Sequence, residues 1–187
     1  MKSSKKVKNF KRLVFARADV HAARSAAQHL FDNFEALHRD WAYRAIETGI
    51  IVSYSRPFGE NENLGSLPHQ FRAFDDADAQ IVHDGMLRAR DIQEAHNNLR
   101  RRGSLVRAPF SAEEAVSVSI LIAADGRTFW EIRLPSLDRS DIERMIRLFQ
   151  IQENRLWREI QSVFDALLQE HSGEAGEFRL GIDFPAR

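Results

Sequence analysis

The stretch RDIQEAHNN, Arg90 to Asn98, sets an arginine and a histidine six positions apart, with Asp91 after the first and Asn97 after the second. Those residue types can act on a phosphate. An imidazole titrates near neutrality and can give or take a proton in a transition state. A guanidinium is always charged and offers a planar fork of donors to phosphate oxygens. Asp91 or Asn97 can orient the imidazole or a substrate, and Arg100, Arg101, Arg102 and Arg107 follow closely enough to hold further phosphates. The same residues also read as a polar helix face running into a solvated, arginine-rich stop. The spacing leaves both readings open.

On a straight helix six residues turn through about 600°, which places Arg90 and His96 about 120° apart. His83, Arg90 and Asn97, seven apart, share a polar face instead, while His96 falls near a stripe of Gly85, Ala89, Ile92 and Leu99. A joint Arg90–His96 site therefore requires a distorted helix end or a cleft shared across a two-fold axis.

Other chemistry is scarce. Glycine-rich phosphate loops, an HExxH zinc helix and a GxSxG elbow are absent. With no cysteine, disulfides and thiolate metal sites are excluded. His83-Asp84, with His69 and Asp141 as further ligands, resembles the paired His-Asp of helical metal-dependent phosphohydrolases. A solvent-exposed His83 beside an Asp84–Arg88 pair at i,i+4 explains the same residues. No metal and no cofactor is expected.

The elements that must position these residues are mostly helical. Val20, Ala23, Ala27, Leu30, Phe34, Leu37 and Trp41 alternate spacings of three and four, the apolar stripe of a long amphipathic helix. HRD, His38 to Asp40, is the expected kink, after which the pattern resumes through YRAIETGIIVSYS to Pro57 and Gly59. ENENLGSLPHQF reads as a loop. Asp75, Asp76 and Asp78 favour the start of a helix from Ala77 to Leu99 that carries the opening motif. Ile142, Met145, Phe149, Gln152, Leu156, Ile160, Val163 and Leu167 define a last helix, capped by Asp138 or Ser140, about 45 Å long.

Between these helices, AVSVSILIA and RTFWEIRLP flank Asp125-Gly126, a hairpin signal at residues 115–135. A three-residue loop, Ala124 to Gly126, pairs Val116 with Leu134, Val118 with Ile132 and Ile120 with Trp130. It leaves Ser117 opposite Arg133 and Ser119 opposite Glu131, and it places Gly126 at positive φ. The tail alternates Phe178, Leu180, Ile182 and Phe184, a strand pattern that can complete a small antiparallel sheet. The expected fold is a bundle of about four helices with an inserted hairpin: a basic flexible tail over 1–14, then a single domain over 15–187.

Carried on the third helix, LRARDIQEAH resembles the Arg-x(4–6)-His signature of the HEPN superfamily. The match is Arg90, five residues, then His96, with Asp91 where that family favours a polar residue. The preceding helix, ending in IVSYSRPF, also looks like bacterial HEPN-like proteins, and the resemblance follows the helix order over residues 15–100. It implies a metal-independent endoribonuclease of a bacterial defence or toxin–antitoxin system, with a composite cleft in a homodimer and an antitoxin as partner. Within that resemblance a ribose 2′-hydroxyl attacks the adjacent phosphate. His96 is the general base or acid, and Arg90 stabilises the growing charge. The alternative is a helical interaction module, antitoxin-like or RNA-binding, without catalysis.

Composition agrees with a soluble domain: 187 residues suffice for one core, with 43% hydrophobic and 29% charged residues. The absence of cysteine fits the cytoplasm, and no apolar run approaches the roughly 20 residues of a membrane helix. LVFA is interrupted at Arg17, too early for a signal-peptide core. The zero net charge hides an asymmetry. Lys2, Lys5, Lys6, Lys8 and Lys11 are the only lysines, and with Arg12 they put +6 on residues 1–12. A rod of about 45 Å overhangs a body whose radius of gyration is about 16 Å, exposing Trp157 and Phe164. A homodimer is expected to cover them.

Overall fold

The computed structural model of the chain describes residues 5–37, 41–60, 64–94, 117–122, 124–133 and 137–170. Its described part is mainly helical. Two long helices set the frame: α1, Lys5–Asp32, and the last one, α5, Arg139–Glu170. Between them come a single turn α2, Phe34–Leu37, then α3, Trp41–Ser55, and α4, Ala77–Glu94. Short 3-10 turns cover Arg56–Phe58 and His69–Phe71.

α1 and α5 run antiparallel along one another. Phe10 stacks on Phe164 at 6.1 Å between ring centroids, Arg17 lies over the Trp157 ring, and Arg139 lies over Phe31. Numbers that rise on one helix fall on the other. The buried stripe of α1 is Leu13, Ala16, Val20, Ala23, Ala27 and Leu30. Its three alanines leave room for neighbouring helices to approach closely. The last helix is thus flanked along its length, which corrects the overhanging rod: α1, with 28 residues against its 32, lies beside it, although Trp157 and Phe164 stay exposed as expected.

Two further expectations change. The flexible tail over 1–14 is helix from Lys5 onward, because Phe10 and Leu13 bury a face between the lysines. The first helix also breaks earlier than HRD, whose residues lie outside the described ones. The break comes at Asn33, whose backbone N–H and side-chain amide both bond the His29 carbonyl.

α3 packs its stripe of Tyr43, Glu47, Ile50 and Tyr54 inward. Two of these hold the entrance to α5. The Tyr43 hydroxyl donates to the Leu137 carbonyl at 2.6 Å, and Glu47 Oε1 accepts from the Leu137 N–H at 3.3 Å. Asp138 then caps α5, accepting from the Asp141 N–H at 2.8 Å and from the Ser140 hydroxyl. Further into α5, Arg144 and Arg147 reach back to Asp78 and Asp76 at the start of α4. Ser117–Ile122 (β1) and Thr128–Arg133 (β2) pair antiparallel, with Val118 opposite Ile132 and Ile120 opposite Trp130, and Gly126 at φ 81°. Val116, Leu134 and the tail strand lie outside the described residues.

Candidate functional site

The motif-bearing helix α4 starts where Asp76 Oδ1 accepts the N–H groups of Asp78 and Ala79. This capping satisfies donors that the first turn cannot pair internally. Gln80 fixes the chain in front of it: Phe74 N–H donates to Gln80 Oε1 at 2.9 Å, and Gln80 Nε2 donates to the Arg72 carbonyl and to Asp84. Arg72 in turn donates to the Phe58 carbonyl. From the other side Gln152 Nε2 donates to the Phe71 carbonyl. The corner formed by Phe58, Phe71 and Phe74 is therefore held against α4 by the side chains of Gln80, Arg72 and Gln152.

Into this corner points His83, 1% exposed. Its ring lies between Phe58 at 4.8 Å, Phe74 at 5.1 Å and Tyr54 at 5.8 Å. The Tyr54 hydroxyl and His83 Nδ1 share a hydrogen bond of 2.7 Å. Nε2 is buried with no hydrogen-bond partner among the described residues. Burial pushes the imidazole down to about pKa 4; Asp84 opposes this, and Arg72 and Arg155 add to it. Burial likewise holds the Tyr54 phenol well above its ordinary value. At neutral pH both groups are uncharged. The solvent-exposed His83 of the sequence reading is thus corrected: its face of the helix turns inward, because two phenylalanines from the neighbouring turns close over it.

Two helical turns further along the same face, Arg90 meets a different surface. Its guanidinium lies against the backbone of Gly59, at the end of the RPF turn. A Cβ on Gly59 would stand 2.6 Å from Nη1 and 3.2 Å from Cζ. Gly59 has an ordinary φ of −79°, so its lack of a side chain matters here for space rather than for backbone freedom. Arg90 is half-buried. This is a cation at the rim of the core, its guanidinium set where Gly59 has no side chain.

Of the remaining site residues, Asp91 is placed on α4, and its side chain is outside what the structure describes. His96, Asn97, Arg100, Arg101, Arg102 and Arg107 lie outside the described residues. The structure therefore brings His83 and Arg90 onto one face, and separates them by environment. Among the described residues no three His, Asp or Glu side chains gather as metal ligands. Asp141 instead accepts the Asp138-capped turn's neighbour Arg144, and burial raises its carboxyl to about pKa 6, with the Asp138 charge adding to the effect.

Two residues of the buried polar network were not singled out from sequence: Glu47 and Glu153. Glu47 accepts from Arg44 at 2.8 Å, and burial raises its carboxyl above the usual carboxylate range. Glu153 joins His21 Nδ1 at 2.8 Å and Arg24 at 3.2 Å across the α1–α5 seam. A signal existed for both: each glutamate occupies a position of an otherwise apolar stripe, where an unpaired charge is costly. No protein-family model, curated protein or solved structure matches this chain.

Proposed function

We propose that this chain is a HEPN-like protein that acts on or binds RNA, as a metal-independent endoribonuclease of a bacterial defence or toxin–antitoxin type. The observation that carries this reading is the placement of Arg90: a half-buried guanidinium on α4, seated over Gly59 and six residues before His96. In this reading His96 moves the proton of the 2′-hydroxyl, Arg90 stabilises the phosphorane oxygens, and Asp91 or Asn97 orients the imidazole. Arg100, Arg101, Arg102 and Arg107 hold flanking phosphates. The protein works in the cytoplasm as a homodimer with an antitoxin as partner, and the tail strand extends the β1–β2 pair into a small sheet.

The test is to incubate the pure protein with total RNA in the presence of EDTA. Cleavage that disappears in both Arg90→Ala and His96→Ala is the expected result. Cleavage that survives either change, or its absence in every preparation, removes the nuclease.

A non-catalytic interaction module is favoured by a separate observation. Trp157 and Phe164 remain 48% and 42% exposed beside Arg17 and Phe10, with Leu168 continuing the strip. That strip also suits the second copy of the chain. A monomeric mass by light scattering at micromolar concentration overturns the homodimer.

A further inference from the structure

The lysines of α1 line a groove that lies apart from the α4 face. It encloses about 770 Å³ between the first turns of α1, the Leu64–Gly65 bend and the outer half of α5. Cavities that hold small ligands commonly measure about 300–1,000 Å³. Lys5, Lys8 and Arg12, spaced three and four, lie on one face of α1 over about 10 Å of rise. The opposite wall is aliphatic: Leu64, Val163 and Ala166. No aspartate or glutamate is among the described lining residues.

The walls are fixed before any ligand arrives. Arg12 Nη1 donates to the Ser66 carbonyl at 3.2 Å and Nη2 to Asn9 Oδ1 at 2.5 Å, tying the bend to the helix. Gly65 turns at φ 74°, a conformation other residues rarely adopt, and the Leu67 N–H bonds the Pro57 carbonyl at 2.8 Å. Arg12 Nε is buried and has no hydrogen-bond partner among the described residues.

We propose that this groove binds a small organic anion with an apolar arm, of the alkyl phosphate class. The phosphate sits against the row of cations, and the arm lies on Leu64, Val163 and Ala166. Clustered like charges repel one another, and a dianionic head relieves that repulsion. The aliphatic wall separates this ligand from RNA, whose unpaired bases need aromatic platforms that the groove lacks. A concave, part-enclosed shape suits a free molecule better than a flat lipid surface. The inference is independent of the α4 site.

The test uses the full chain and titration calorimetry with octyl phosphate, inorganic phosphate, a short poly-uridine RNA and anionic phospholipid vesicles. Octyl phosphate is expected to bind about tenfold more tightly than inorganic phosphate or more. Lys8→Glu, a substitution at an exposed position, is expected to weaken octyl phosphate about tenfold while leaving the melting temperature of the unliganded protein unchanged. Ala166→Glu, on the aliphatic wall, is expected to weaken octyl phosphate and leave inorganic phosphate unaffected. Equal binding of the two phosphates overturns the proposal. So does retention of octyl phosphate by Lys8→Glu, or tighter Lys8-dependent binding of RNA or vesicles than of octyl phosphate.

Discussion

His83 and Arg90 occupy the same face of α4, two turns apart, and meet opposite fates. His83 is sealed between three aromatic rings, hydrogen-bonded to a phenol and uncharged at neutral pH. Arg90 is half-buried at the rim, where the neighbouring backbone is a glycine. The contrast shows that a polar stripe on a helix wheel is not one surface. What covers each turn comes from elsewhere in the chain, and that cover decides whether a polar residue is sealed in the core or stays at its rim.

The largest expected effect breaks the sealed half. His83→Ala removes a buried ring and strands the Tyr54 hydroxyl, and is expected to cost about 2–4 kcal/mol in denaturant unfolding. His83→Gln, which keeps a polar group for Tyr54, should recover part of that loss. A His83→Ala protein as stable as the parent would place the ring outside the core.

Acid sharpens the same contrast. The folded protein holds His83 near pKa 4 against 6.5 in the unfolded chain, so the unfolded state binds more protons between those values. Stability from this residue is fully present above pH 6.5 and is lost as pH falls through 4, up to about 3 kcal/mol. Asp141 works in the opposite sense. Its folded value of about 6 exceeds the unfolded 3.8, so its contribution is present at low pH and fades as pH rises through 6. Urea melts between pH 4 and 7 should therefore show a flatter acid limb in His83→Gln and a steeper one in Asp141→Asn.

Glu47 extends the comparison to a second sealed polar group. Glu47→Ala leaves the Leu137 N–H unpaired at the entrance to α5 and is expected to cost about 1–3 kcal/mol. Glu47→Gln retains an acceptor and should cost less. The rim should respond least: Arg90→Ala and Gly59→Ala are each expected to shift stability by less than about 1 kcal/mol.

How much of this was legible in the sequence follows the reach of the interactions. The stripes of α1, α3 and α5 repeat at helical spacing and are set by neighbours within each helix, so their buried residues could be read directly. The α4 cap could be read from its aspartates for the same local reason. His83 was misread because Phe58 and Phe74 belong to turns 25 and nine residues away in the chain. Leu67 and Phe71 were hidden in a segment that looks like a polar loop, yet both are buried. The lysine-rich start disguised a helix because Phe10 and Leu13 are few among many charges. The Arg90–Gly59 contact has no sequence signal beyond the glycine itself.

The most direct measurement compares RNA cleavage in EDTA by Arg90→Ala, Gly59→Ala and His83→Gln. If the rim holds the function and the sealed turn only supports it, Arg90→Ala abolishes cleavage. Gly59→Ala, whose Cβ displaces the guanidinium, reduces it strongly, and folded His83→Gln retains it. Cleavage that is lost in His83→Gln and kept in Arg90→Ala would contradict this division of the helix.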